Sequence, residues 1–175
     1  MSVDETLGAL TAMVPDDADS PAVPQSRERQ LRAFFACWSS SFDDLLASYD
    51  LLAPDCQWIQ RPIPTITGPD AARRFLRFSR RTLGMETIDV EVLGVAGSGD
   101  TVYVERIDHL LRADKGVIAS APLVGVFEFA GDRVVRWREY FDSLEFGGRI
   151  VRSALVHAGK RITRRVGPPQ SDLNR

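Results

Sequence analysis

Residues 101–112 have the sequence TVYVERIDHLLR, in which apolar and polar side chains alternate as they do in a β-strand. Because successive strand side chains point to opposite faces, Arg106 and Asp108 share one face with the apolar Val104. Charged groups on an otherwise apolar strand face are costly to bury unless they meet opposite charges. This stretch therefore predicts a core-facing strand that carries an ionic pair.

A second strand pattern, VVRWREYFD at residues 134–142, repeats this feature. The face that carries Trp137 and Phe141 also carries Glu139, so a third charged group points toward the predicted core. Arg106 and Asp108 alone could be a structural ion pair. If Glu139 meets them in a pocket, the three side chains form acid–base machinery, since close carboxylates with separated pKa values can serve as acid and base.

The wider pattern predicts two helices, a strand, a third helix, a long antiparallel meander and a final helix. Segregated helices and an antiparallel sheet define an α+β domain. A curved sheet around a helical layer would leave a cone-shaped cavity for the inward charges. The predicted helices cover 26–38, about 41–52, 68–83 and a segment from Ser143 carrying Phe146, Ile150 and Leu155; the predicted strands cover 56–61, 85–95, 101–112, 117–129 and 134–141.

Composition narrows the class of protein. The 175 residues have a net charge of −2, which argues against nucleic acid as a partner. No apolar run is long enough to cross a bilayer, and no signal peptide opens the chain, so no membrane role is predicted. Cys37 and Cys56 lack metal-site spacing and indicate free thiols in a reducing cytoplasm. Two histidines are too few for a His-rich metal site.

Charge and proline content divide the chain into three parts. Residues 1–25 contain five acids, three prolines and no Lys or Arg, which predicts a disordered acidic leader. Residues 26–158 are predicted to form a single domain. Residues 159–175 are rich in basic side chains and are predicted to be a flexible basic tail.

Three segments carry a resemblance to the limonene-1,2-epoxide hydrolase family, of the SnoaL-like, NTF2-like superfamily. They are Tyr103–Asp108, Leu123–Phe127 and Trp137–Phe146, and the resemblance covers roughly residues 26–150. It implies an NTF2-like cone, in which a curved mixed or antiparallel sheet wraps around a helical layer with a deep apolar pocket.

The resemblance also implies catalytic roles. Arg106 and Asp108 match the family's strand arginine and aspartate, and the second catalytic aspartate corresponds to Glu139. Protonated Asp108 would give its proton to an epoxide oxygen, Glu139 would activate water, and Arg106 would orient both carboxyls. The family's Tyr-x-Asn element, which helps to hold the water, corresponds to Trp58-Ile59-Gln60. No covalent intermediate, metal or other cofactor is implied.

The resemblance implies a substrate class, a pocket and an assembly. The substrate would be a small apolar epoxide, terpene-like or polyketide-like, opened to a vicinal diol. A homodimer is expected, formed through the outer sheet face that carries Tyr103, Glu105 and His109. The positions that resemble the family's pocket lining are Met85, Leu110, Ala121, Leu123, Phe141 and Phe146.

Three other functions stay open from the sequence. An epoxide-opening cyclase would use the same acid and base with a substrate hydroxyl as nucleophile. A SnoaL-like ketone isomerase or cyclase would abstract a carbon-bound proton with Asp108 or Glu139. A non-catalytic binding protein would use only the apolar cone.

Overall fold

The computed structural model describes residues 25–165, which form four α-helices, one 3-10 helix and six strands. The helical elements are α1 (Gln25–Ser40), α2 (Phe42–Ser48), the 3-10 helix (Tyr49–Leu51), α3 (Gly68–Leu83) and α4 (Ser143–Arg165). The strands are β1 (Leu52–Gln60), β2 (Ile66–Thr67), β3 (Met85–Ser98), β4 (Thr101–Arg112), β5 (Val117–Ala130) and β6 (Arg133–Phe141).

The strands form one curved, mixed sheet in the order β2-β1-β6-β5-β4-β3. Strands β3 to β6 are an antiparallel meander, while β1 pairs in parallel with β6 and antiparallel with β2. Two-residue turns that begin with Gly99 and Gly131 join β3 to β4 and β5 to β6, and both glycines have positive φ angles. The α+β prediction is confirmed, and the parallel β1–β6 pair makes the sheet mixed.

The helices cover the concave face of the sheet and leave a cavity against it. Helix α1 contributes Leu31, Phe34, Phe35 and Trp38 to the core, the same apolar stripe that helical periodicity predicts. Helix α3 packs on β1, and α4 packs on β5. The inward faces of the strands, including the one that carries Arg106, therefore lie under these helices.

The first strand differs from its prediction. We expected it to begin at Cys56 after a turn at Pro54-Asp55, yet β1 begins at Leu52. The pairing of β1 with β6 is irregular between Leu52 and Gln57, so Pro54 lies where its missing N–H costs no ladder hydrogen bond. The loop expected after β1 also contains the short strand β2, which pairs with Trp58 and its neighbour.

The last helix also differs from expectation. Phe146 and Ile150 pack on the core, but Leu155, the third apolar residue named for this helix, is 70% exposed. Helix α4 continues to Arg165, seven residues into the segment predicted as a flexible tail. The rest of that tail, and the acidic leader apart from Gln25, lie outside the described residues.

None of the helices between residues 25 and 165 is both long enough and apolar enough to cross a membrane.

Candidate active site

The centre of the candidate site is Arg106, whose side chain is fully buried. Its Nε donates to Asp108 Oδ1 at 2.9 Å, and its Nη2 donates to Asp108 Oδ2 at 3.2 Å. Nη2 also donates to Glu139 Oε1 on β6. The structure therefore brings together the three charged residues that strand periodicity placed on inward faces.

The guanidinium of Arg106 reaches Glu139 by crossing β5 at Gly125. In the sheet register, Gly125 lies between Val104 of β4 and Glu139 of β6. A Cβ atom at Gly125 would lie 2.3 Å from Arg106 Nη1 and 2.8 Å from Phe127 Cε2. Because glycine has no side chain, the arginine passes over the strand.

Aromatic rings enclose the guanidinium. Its Cζ lies 4.8 Å from the ring centroid of Phe35, and three further rings lie within the range of cation–π attraction. This enclosure holds the positive charge away from water while the two carboxyls supply its hydrogen-bond acceptors. The three further rings are those of Trp38, Phe127 and Trp137, at 5.9, 5.9 and 6.0 Å.

Trp58 contacts Glu139, the candidate general base. Its ring stacks on Trp137 with centroids 4.5 Å apart, and its Nε1 donates to Glu139 Oε2 at 3.0 Å. An indole has one hydrogen-bond donor and no acceptor, so the bond to Glu139 occupies the only polar group of Trp58. The role of Trp58 in holding a water stays a prediction; in this structure its indole N–H holds Glu139 in place.

Gln60 lies beside Glu139 on the neighbouring strand. The two residues are register partners in the parallel β1–β6 pair, so their side chains project from adjacent positions. Gln60 is 7% exposed, and its Nε2 has no hydrogen-bond partner within residues 25–165. Buried amide groups are normally paired with protein or with ordered water. Gln60 therefore retains a free donor next to the carboxylate of Glu139.

Burial governs the protonation of the three charged groups. Burial raises the pKa of Asp108 and of Glu139 above the usual carboxyl range, although Arg106 pulls both in the opposite direction. The negative charge of Asp108 adds to the increase at Glu139. Burial opposes the charge on Arg106, but the two carboxylates outweigh it and raise the arginine pKa. One proton shared by the two carboxyls would make the buried cluster neutral.

The carboxyls face a cavity of about 310 Å³. Its walls are largely apolar, and Asp108, Glu139 and Gln60 supply polar groups to them. The lining includes all six residues that the sequence placed in the pocket, namely Met85, Leu110, Ala121, Leu123, Phe141 and Phe146. An apolar cavity with a few convergent polar groups is the usual form of a small-molecule site.

Two residues at the site, Gly125 and Tyr49, were not predicted from the sequence. An inward glycine in the middle of a strand indicates close approach of another group, so Gly125 carried a usable signal. Tyr49 lies in the 3-10 helix, is 1% exposed and lines the cavity. Tyr49 follows the apolar residues of α2 at helical spacing. Its position therefore predicts an ordinary core residue and gives no sign that it lines a site.

We expect Gly125→Ala to impair the site. Overpacking of this kind costs about 1–3 kcal/mol of stability, and a guanidinium displacement of ~1 Å can reduce activity about 10²-fold. Thermal unfolding and turnover of the variant measure the two effects. Gly94→Ala is the matched control, because its added Cβ would lie 3.8 Å from its nearest neighbour, Glu105 Oε2, which is an ordinary van der Waals contact. Equal effects of the two substitutions would contradict the role of Gly125.

Residues 25–152 match the family model described as the limonene-1,2-epoxide hydrolase catalytic domain, which spans more than half of the chain. The protein therefore belongs to this family, as the sequence resemblance predicted.

Solved structures share the fold at low sequence identity. An LEH-like epoxide hydrolase from M. tuberculosis matches with a TM-score of 0.57 and 23% identity, over 78% of this chain and 97% of that one. A protein from Jannaschia sp. CCS1, assigned to the SnoaL-like polyketide cyclases, matches with a TM-score of 0.60 and 22% identity, over 77% and 97% of the two chains. An NTF2-like protein of unknown function from Burkholderia pseudomallei gives a TM-score of 0.60 at 20% identity, over 71% and 96%. These similarities support the NTF2-like fold.

Proposed function

We propose that this protein is a cofactor-independent epoxide hydrolase that adds water to an apolar epoxide and releases a vicinal diol. The observation that carries the proposal is the hydrogen-bonded cluster in which Arg106 joins Asp108 and Glu139 at the wall of an apolar cavity. The family to which the chain belongs gives independent support.

The proposed reaction is a single step. Asp108 gives its proton to the epoxide oxygen as the carbon–oxygen bond breaks, and Glu139 takes a proton from the water that forms the new bond. We assign the Asp108 proton to Oδ2, because this oxygen makes the longer and therefore weaker of the two hydrogen bonds with Arg106. Net transfer of one proton from Glu139 to Asp108 restores the enzyme after the diol leaves.

Each part of the cluster has a defined contribution. General acid and general base catalysis each supply typically ~10²–10⁴-fold. Arg106 stays charged, holds both carboxyls in place and limits their relative movement. Trp58 fixes the second oxygen of Glu139. The apolar walls favour a terpene-like or polyketide-like epoxide over a strongly polar one.

The proposal is tested by incubating the protein with limonene oxide and a panel of bulkier apolar epoxides, followed by mass spectrometry of the products. We expect at least one epoxide to give a diol at a rate well above that of a reaction without protein. If the folded protein yields no diol from any member of the panel, the hydrolase assignment is contradicted.

We expect kcat/KM for epoxide opening to decrease at alkaline pH. Burial raises the pKa of Asp108, so its proton is retained above the usual carboxyl range and is lost as the pH rises through that raised value. The measurement is a pH profile of kcat/KM, with thermal unfolding followed at each pH as the control. A rate that keeps rising with pH while the protein stays folded would contradict an essential acid.

A second candidate is an epoxide-opening cyclase, in which a hydroxyl of the substrate replaces water. The observation that favours it is the hydrogen bond from Trp58 to Glu139, which leaves the indole unable to hold a water. The product would be a cyclic ether isomeric with the substrate, with no oxygen taken from the solvent.

We also propose that the protein acts in the cytoplasm as a homodimer. Two free cysteines support a reducing compartment. The exposed Tyr103, Val124 and Tyr140 on the outer face of the sheet support a protein–protein interface there. Sedimentation of the purified protein tests the assembly, and a monomer at all concentrations would contradict it.

A further inference from the structure

The mouth of the cavity lies beside two helices. Helices α3 and α4 pack on each other and both line the cavity, and Phe78 of α3 lines it while remaining 56% exposed. We therefore place the mouth at the ring of Phe78. The sides of α3 and α4 that face away from the core flank this opening and are called here the outer helical surface. Its members are Arg74, Arg77, Phe78 and Arg81 of α3 and Leu144, Val151 and Leu155 of α4.

The α3 part of this surface is basic. Arg74, Arg77 and Arg81 are exposed and recur at a spacing of three and four residues, so they form one stripe along the helix. The stripe lies opposite Ala72 and Leu76, which α3 buries. None of the three arginines forms an ion pair within the part of the chain that the structure describes, although other arginines of α3 do. The whole chain has a net charge of −2, so this unpaired positive charge is a local feature.

The α4 part of the surface is apolar. Leu144 is 88% exposed, and Val151 and Leu155 are also exposed. Their spacing puts them on the side of α4 opposite the two residues that pack on the core. Together with Phe78, they place large exposed apolar side chains next to the basic stripe. Exposed apolar groups that cluster in this way mark a binding surface, whereas isolated ones are ordinary.

We propose that the outer helical surface docks on a bilayer that contains anionic lipids, with the mouth of the cavity against the lipid. The three arginines contact lipid phosphates, and the four apolar side chains enter the boundary between headgroups and acyl chains. The sequence predicted no membrane role because no apolar run can cross a bilayer. A contact with the membrane surface needs no such run.

A bilayer satisfies both parts of this surface, because it presents phosphates and acyl chains side by side. A second copy of the chain fits less well, since a two-fold interface places the same patch against itself and would bring unpaired arginines together. The contact also gives an apolar epoxide dissolved in the lipid a direct path into the cavity. This last step rests on the proposed hydrolase function, while the docking itself does not.

The first test is sedimentation with vesicles of phosphatidylcholine and phosphatidylglycerol in equal amounts, and with vesicles of phosphatidylcholine alone. We expect binding to the first that weakens as salt is added, and little binding to the second. Each arginine near an anionic surface contributes about fivefold in affinity, so the triple variant Arg74→Gln, Arg77→Gln, Arg81→Gln should bind about 10²-fold more weakly. No binding to the anionic vesicles, or equal binding to both kinds, would overturn the inference.

Two further sets of variants test the position of the surface. Arg77→Gln and Arg136→Gln are a matched pair, because each removes one exposed positive charge and Arg136 lies on the outer face of the sheet. We expect about fivefold weaker vesicle binding for the first and no change for the second. Leu144→Ser combined with Val151→Ser should weaken vesicle binding without lowering thermal stability, since both positions are exposed. Equal effects of the arginine pair, or unchanged binding by the serine variant, would contradict the docking.

The outcomes separate this inference from the hydrolase proposal. Vesicle binding by a protein that opens no epoxide would contradict the hydrolase proposal and leave the docking surface in place. Diol formation by a protein that does not bind anionic vesicles would overturn the docking alone. If Leu144→Ser with Val151→Ser turns a dimer into a monomer, the surface is a subunit interface and the membrane assignment is wrong.

Discussion

Asp108→Asn should lower kcat for diol formation by about 10²–10⁴-fold, the usual contribution of a general acid. Asparagine has nearly the same shape, and its amide oxygen can still accept a hydrogen bond from Arg106. It cannot give a proton to the epoxide oxygen. Burial disfavours the charge on Asp108, so the neutral amide should not lower the free energy of unfolding by more than a small amount.

The measurement compares turnover and thermal unfolding of Asp108→Asn with those of wild type. Asp89→Asn is the matched control, since Asp89 lies on the neighbouring strand β3 and is exposed. Retention of most activity in Asp108→Asn would remove Asp108 from the chemistry. Loss of activity that merely follows unfolding would indicate a structural role for the pair.

Arg106→Met should destabilise the protein by about 3–5 kcal/mol, because it leaves buried carboxyls without their partner. Methionine replaces the apolar stem among the aromatic rings but supplies no donor to Asp108 or Glu139. The same change should remove activity, since nothing then holds the acid and the base together. Arg74→Met, at an exposed position of α3, is the control and should be nearly neutral.

The destabilisation caused by Arg106→Met should increase as the pH rises. Burial raises the pKa of both carboxyls, and the loss of Arg106 removes the main influence that lowers it. A group whose folded-state pKa lies above its unfolded value stabilises the fold at low pH, and this stabilisation is lost as the pH rises through the folded value. The variant should therefore be most stable in acid. Denaturant unfolding at several pH values measures the trend.

A double variant separates the charge effect from packing. Glu139→Gln added to Arg106→Met removes one of the unpaired carboxyls, so it should recover part of the lost stability at neutral and alkaline pH. If the effects of the two substitutions on the free energy of unfolding simply add, the ionic interaction between Arg106 and Glu139 makes little difference to stability.

Strand periodicity was sufficient to predict the core of the candidate site. The two-residue period puts Arg106 and Asp108 on one face, and the same rule selects Glu139 over Asp142. Asp142 instead accepts hydrogen bonds from the backbone N–H groups of Leu144 and Glu145 at the start of α4. Burying an unpaired charge costs on the order of several kcal/mol of free energy, so charged side chains on an apolar strand face are expected to pair with opposite charges.

The remaining features depend on pairing across the sheet, which local sequence does not specify. The parallel β1–β6 register brings Trp58 onto Trp137 and Gln60 beside Glu139. The indole of Trp58 therefore reaches Glu139 first, and the sequence could not show this. The extension of β1 past Pro54 depends equally on the irregular pairing with β6.

The most direct test of the central claim is a single-turnover reaction in ¹⁸O-labelled water, with the protein in excess over an epoxide that it opens. Direct attack by water held on Glu139 predicts that the diol of the first turnover already carries one solvent oxygen and that the carboxyls of Asp108 and Glu139 stay unlabelled. An unlabelled diol with label later found in either carboxyl would contradict the account, because it would show attack through a covalent ester. An unlabelled cyclic isomer would also contradict it and would make the protein an epoxide-opening cyclase.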